Sequence, residues 1–125
     1  MQNTTKPVLI EKIIDGIPEV SCEAVQSHTA MVETNQIQLI DVRRPDEFTG
    51  ELGHIKGARL IPLGPDLMLF LQTANPDDEI VFVCRSGGRS GAATAESRLR
   101  GFKHTVNMTG GMIRWNQSGL PIEQK

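Results

Sequence analysis

Apolar residues along the chain gather in short runs, separated by turn residues and by stretches in which they recur at three- and four-residue intervals. The runs "IQLIDV" (37–42), "ARLIPL" (58–63), "EIVFVC" (79–84) and "KHTVNM" (103–108) predict strands, and "IPEVS" (17–21) a shorter one. Between them, Ser21 is an N-cap for a helix from Cys22 to about Thr34, with Ala24, Val25, His28 and Val32 roughly on one face. Pro45 opens a turn of helix over 45–48 with acids behind it, and Pro65 and Asp66 open another over 65–74. The alanine-rich segment 88–100 ends on Arg98, Arg100 and Gly101, and 110–119 closes on Gly119 with Pro121 beyond; both are stop signals. Strands alternating with helices predict an α/β fold with a mainly parallel central sheet of about five strands and helices on both faces. The unbroken apolar run Ile80 to Val83 fits a strand covered on both sides.

A chain of 125 residues without repeats is long enough for one domain with its own core. The net charge of −2 gives no general attraction for nucleic acid or anionic lipid, so any preference for anions has to be local. Residues 1–14 hold no apolar stretch of signal-peptide length, and no run approaches the roughly twenty apolar residues of a membrane span. Two cysteines, Cys22 and Cys84, are too few for a disulfide framework, and the chain reads as cytoplasmic with reduced thiols.

Candidate chemistry concentrates in "CRSGGRS", Cys84 to Ser90. The loop lies between the end of a predicted strand and the start of a predicted helix, where unpaired backbone N–H groups attract anions. Gly87 and Gly88 let several of those groups turn toward one point, the sulfur of Cys84. Arg85 and Arg89 oppose the usual preference for acids at a helix start, a conflict that an anion in the loop would remove. A thiol in such surroundings ionises more readily than a free one, so Cys84 is the candidate nucleophile; the opposing reading is a small buried hydrophobe at a strand end. Ser86 and Ser90 either donate hydroxyls to the same anion or are ordinary small loop residues.

In this loop and in two flanking blocks the sequence resembles the rhodanese family of sulfurtransferases. The first block is "LIDVRRPDEFTGELGHIKGARLIPL", Leu39 to Leu63; the second comprises Gly110, Gly111, Trp115, Gly119 and Pro121. The resemblance implies a three-layer rhodanese-like domain over 16–125, preceded by an N-terminal extension over 1–15 that packs on it. It implies that Cys84 takes a sulfane sulfur from a small anionic donor, thiosulfate or a persulfide, and passes it to a thiol, protein or cyanide acceptor. Arg85, Ser86, Gly87, Gly88, Arg89 and Ser90 would bind the donor and the persulfide anion, with no metal or organic cofactor. A second class of function fits the same loop, a sulfur-carrier or redox-sensing module that receives its persulfide from a partner protein. Cys84 and Arg89 form C-x4-R, similar to sulfurtransferase loops; related dual-specificity phosphatases carry C-x5-R, which disfavours phosphatase activity.

Asp41, Arg43 and Glu47 follow a predicted strand and either brace the loop through a hydrogen-bonded ion pair or form a structural network of their own. His54, in "GHIKGA", anchors a turn, and His28, His54 and His104 lack the spacing of zinc ligands. Trp115 reads as core, and "LMLFL" (67–71) as buried or partly an interaction surface. Cys22 lacks the arginines that surround Cys84 and is a weak candidate to resolve a Cys84 persulfide.

Overall fold

The computed structural model describes residues 7–125; of the extension expected over 1–15, residues 1–6 lie outside the described residues. Six strands form one sheet: β1 (Lys12–Ile14), β2 (Ile17–Val20), β3 (Gln38–Asp41), β4 (Arg59–Leu60), β5 (Glu79–Val83) and β6 (His104–Met108), in spatial order β1-β2-β6-β5-β3-β4. Every pairing is parallel except β1 with β2.

The extra strand β1 was not in the hydrophobic pattern, because Lys12, Ile13 and Ile14 are all exposed and show no alternation. Its signal lay in the turn instead. Asp15 and Gly16 both have positive φ, 51° and 81°, the backbone of a two-residue hairpin loop for which Asp-Gly is a strong sequence mark. Ahead of it, the N–H groups of Val8 and Leu9 donate to the Glu79 carboxylate at 3.1 and 2.9 Å, and Leu9 is buried.

The helix expected from Cys22 to Thr34 is two, α1 (Cys22–Ser27) and α2 (Thr29–Glu33), broken at His28. Hydroxyl and imidazole groups cause the break by bonding back to the preceding turn. Ser27 Oγ donates to Ala24 O at 3.0 Å, His28 Nδ1 lies 2.8 Å from the same oxygen, and Thr29 Oγ1 donates to Gln26 O. Four further helices are α3 (Pro45–Phe48), α4 (Pro65–Thr73), α5 (Gly88–Leu99) and α6 (Gly111–Gln117).

Alternate residues of β5 feed two cores. Val81 and Val83 pack with Val25, Val32, Met112 and Trp115 from α1, α2 and α6. Ile80 and Phe82 pack with Leu67, Leu71 and Ala93 from α4 and α5. Each fully buried aliphatic or aromatic side chain stabilises by about 1.5–3 kcal/mol relative to exposure, so a strand covered on both faces is the strongest anchor available to the loop that follows it. The sheet order reverses between β3 and β5: the chain leaves β3 outward to β4, then crosses back to β5 and on to β6. Loops leaving β3 and β5 therefore diverge, and the crevice at their carboxyl ends is where α/β sheets hold ligands. Trp115 is fully buried and its indole N–H donates to Pro121 O at 2.9 Å. Within "LMLFL", Leu67 and Leu71 enter the core while Leu69 is 63 % exposed.

Candidate functional site

Cys84 directly follows β5 and is itself 1 % exposed. Its Sγ accepts hydrogen bonds from the Gly87 N–H at 3.1 Å and the Ser90 hydroxyl at 3.2 Å. Gly87, with φ 108°, is the left-handed residue that turns its amide back onto the sulfur. Burial alone would push the thiol up; the Ser90 hydroxyl and the N–H groups of Ser90, Gly87 and Ser86 outweigh it and hold Cys84 below the ordinary thiol value. Ser86 is exposed and contributes its backbone N–H.

The other side of the loop is held by carbonyl groups. The unpaired N–H groups at the start of α6 donate to it, Met112 N to Cys84 O and Ile113 N to Arg85 O, both at 2.9 Å. Gly111, with φ 59°, makes this approach feasible: a Cβ there would sit 2.5 Å from Cys84 O and 2.6 Å from Arg85 O. Amides of one helix start thus face the sulfur, and those of another grip the chain behind it.

Ser90 has a second partner, the buried Asn107 Oδ1. Asn107 Nδ2 in turn donates to Glu19 Oε2 at 3.0 Å and Gly87 O at 3.2 Å, and Thr109 Oγ1 donates to Glu19 Oε1 at 2.7 Å. Neither Glu19 nor Asn107 was singled out from the sequence. The signal was available in β6, where Thr105 and Asn107 share the face opposite Val106 and Met108 although every one of these positions is buried. Polar residues on a buried strand face need partners, and α5 supplies them through Ser97 and Ser90.

The two arginines of the loop differ in their surroundings. Arg89 makes a two-pronged pair with Glu47, Nη1 to Oε1 at 2.7 Å and Nη2 to Oε2 at 2.8 Å. The cation at the start of α5 therefore faces a carboxylate of this chain. Glu47 also accepts the Arg44 N–H at 3.1 Å. Hydrogen bonding from Arg89 leads the causes that hold Glu47 down at about 2, so it is ionised throughout the neutral range. Arg85 is exposed, and its guanidinium has neither hydrogen bond nor ion pair among the described residues.

Asp41 and Arg43 form a buried pair with each other, Nε to Oδ1 at 2.9 Å and Nη2 to Oδ2 at 2.8 Å, and Arg43 Nη2 also donates to Gly53 O at 2.7 Å. This pair does not include Glu47; it fixes the loop after β3, while Glu47 crosses to the loop after β5. His54 is a turn anchor, its Nδ1 2.8 Å from Phe48 O and its ring stacked on Phe48 with centroids 3.7 Å apart. Among the described residues no cluster of three side chains suits a metal ion, and no helix is long and apolar enough to cross a membrane.

The family model for the rhodanese-like domain matches residues 24–118. The chain belongs to the rhodanese-like domain family. Within that family it is 33% identical over 107 residues to a sulfurtransferase of Allochromatium vinosum, covering 85% of this chain and 94% of that protein. It is 30% identical over 99 residues to the thiosulfate sulfurtransferase GlpE of Vibrio cholerae, covering 79% and 91%. It also matches YrkF of Bacillus subtilis at 36% identity over 100 residues, which is 80% of this chain, and spans only about half, 51%, of that relative's length. Among solved structures, a rhodanese-related protein from Thermoplasma volcanium superposes with a TM-score of 0.72 at 22% identity, over 86% of this chain and 98% of the other. A rhodanese-like domain protein from Staphylococcus aureus gives 0.67 at 28%, over 84% and 97%. The rhodanese-like sheet, mostly parallel with helices on both faces, is thus shared with experimentally determined folds.

Proposed function

We propose that this rhodanese-like domain is a sulfurtransferase that moves a sulfane sulfur from a donor such as thiosulfate or a persulfide to a thiol or cyanide, through a persulfide on Cys84. The observation that carries the reading is the pair of donors at 3.1 and 3.2 Å on a sulfur that burial would otherwise keep protonated. Relatives that bear the name sulfurtransferase support the same class of reaction.

In the first half-reaction the Cys84 thiolate attacks the outer sulfur of the donor. The donor's S–S bond breaks, its electron pair leaves with sulfite or a thiol, and Cys84 keeps the second sulfur as Cys84–S–S⁻. That outer atom is bonded to Sγ at about 2.05 Å, in a loop whose Ser86 and Gly88 are exposed. Amides of Ser86, Gly87 and Ser90 stabilise the anion without reorganising, because α6 holds the loop from behind. An acceptor then attacks the outer sulfur and restores the Cys84 thiolate, so the kinetics are ping-pong. Arg85 draws in the anionic donor. Asp41 and Arg43 act at one remove by fixing the loop after β3, and Glu47 by holding Arg89. We assign this work to one domain over 16–125, with β1 added as an edge strand, and to the cytoplasm, where two unpaired thiols stay reduced.

The test is intact mass spectrometry of wild type and Cys84→Ala after incubation with sulfane donors. Wild type alone gains the mass of one sulfur atom, and cyanide removes it. Absence of the added mass with every donor overturns the reading; loading without turnover to cyanide or a small thiol makes the domain a carrier.

A further inference from the structure

The charge around the mouth of the loop cancels. Arg43 faces Asp41, Arg44 faces Asp46 at 3.1 Å, and Arg89 faces Glu47, which leaves Arg85 and the exposed Glu51. A cleft of about 190 Å³ beside the loop brings Arg85 together with the carboxylates of Asp46, Glu47 and Glu51. Within the loop, Arg85 is the one guanidinium without a carboxylate partner among the described residues. Two free arginines would suit a dianion; one, set among carboxylates, suits a donor with a single charge or none at its sulfane end. The 1 % exposure of Cys84 adds a requirement of shape, since only a thin terminal sulfur fits against Sγ.

Building on the persulfide reading above, we propose that Glu47 is a specificity-determining residue. By occupying Arg89 it selects the persulfide of a small thiol over dianionic thiosulfate as sulfur donor. The step is balanced without a redox partner: Cys84–S⁻ and R–S–SH give Cys84–S–S⁻ and R–SH. The new S–S bond forms at the donor's outer sulfur, the old one breaks, and its electron pair stays on the inner sulfur. That inner sulfur takes up the proton the outer one held. Neither reactant brings a second negative charge into the cleft. With thiosulfate, by contrast, the leaving sulfite carries two charges past Glu47 and Glu51.

Glu47→Gln isolates the effect. Glutamine still accepts the Arg44 N–H and keeps the start of α3 capped, yet it cannot neutralise Arg89. Loading of Cys84 is timed by intact mass with thiosulfate and with cysteine persulfide, in wild type, Glu47→Gln, Arg89→Ala and the double variant. The ratio of the two rates within each protein cancels the donors' intrinsic reactivities. We expect the thiosulfate-to-persulfide ratio to rise about tenfold in Glu47→Gln at low ionic strength, to shrink as salt is added, and not to rise when Arg89 is already alanine. Wild-type loading by thiosulfate, at a mouth without net charge, should depend only weakly on salt. An unchanged or lowered ratio in Glu47→Gln overturns the proposal. So does an equal rise without Arg89, or a steep salt dependence in wild type. Failure of wild type to load from either donor overturns the persulfide reading itself, a distinct result.

Discussion

Cys22 and Cys84 are equally buried, each 1 % exposed, and each stands close to the start of a helix. Burial pushes the Cys22 thiol up to about 11, with Glu23 adding to the effect, whereas Cys84 is held below the ordinary value. The difference lies in what faces the sulfur. Cys22 Sγ approaches two carbonyl oxygens, Thr109 O at 3.7 Å and Gly111 O at 3.9 Å, which suit a proton on sulfur and repel a negative charge. Cys84 Sγ faces an amide and a hydroxyl that point hydrogen at it. A helix start is thus not sufficient to activate a thiol; the backbone has to turn so that N–H groups, not C=O groups, line the sulfur. Gly111 joins the two environments, with its carbonyl toward Cys22 and its backbone against the Cys84 and Arg85 carbonyls.

The contrast is broken most directly by alkylation. At pH 7 a thiol titrating at about 11 is ionised to only ~0.01%, while one below the ordinary value is at least ~1% ionised. Iodoacetamide should therefore modify Cys84 about 100-fold faster than Cys22, or more, as read by peptide mass spectrometry of the native protein. Comparable rates would mean that the donors around Cys84 do not set its ionisation. Raising the pH should speed modification of Cys84 with a midpoint below that of a free thiol, and Cys22 should still be slow there.

The second effect is on the clamp behind the loop. Gly111→Ala forces a side chain onto positive φ and onto two carbonyl oxygens, costing roughly 1–3 kcal/mol for each. The melting temperature should drop on the order of 10 °C, with loss of sulfur loading in whatever remains folded. Gly88→Ala is the comparison, because a Cβ there meets nothing within 4 Å and φ is not positive. Its stability should change by less than about 1 kcal/mol, and in the favourable direction, since alanine is the better helix former. If the two variants melt alike, the α6 clamp is not what holds the loop.

Much of this arrangement is legible in the chain before it folds. The apolar run into Cys84, the two glycines after it and the small residues of α5 place the thiol and its amides, because strand, turn and helix start are local features. Glu47 and Arg89 are 42 positions apart, and nothing local tells a reader that the carboxylate reaching back to Arg44 also crosses the sheet's switch point to take the second arginine. Local sequence marks the cation at the helix start as needing a negative partner, and the fold brings Glu47 to it. Glu19 and Asn107 were missed for a related reason. A polar residue in a short strand reads as an edge or a surface position until the sheet order shows β6 between β2 and β5. The hairpin turn at Asp15 and Gly16, in contrast, is legible in the sequence even though β1 lacks an apolar face.

The smallest expected effect tests the hydroxyl of Ser90, which carries one hydrogen and lies between two acceptors, the Cys84 sulfur and Asn107 Oδ1. With Cys84 ionised, that hydrogen is worth most on the sulfur; with Cys84 protonated, it serves Asn107. Ser90→Ala removes it from both, so the folded thiol loses its leading hydrogen bond and its ionisation moves up toward the ordinary value. Hydrogen bonds to charged groups contribute about 1.5–3 kcal/mol, partly replaced here by the Gly87 and Ser86 amides. Alkylation of Cys84 at pH 7 should then slow by about tenfold while the rate reached at high pH stays the same, since the nucleophile itself is unchanged. The orphaned Asn107 oxygen should cost a further ~1–3 kcal/mol of stability, a separate readout by denaturant unfolding. A lower plateau with an unmoved midpoint would instead make Ser90 a matter of packing, and would leave the backbone amides alone as the source of the difference between the two cysteines.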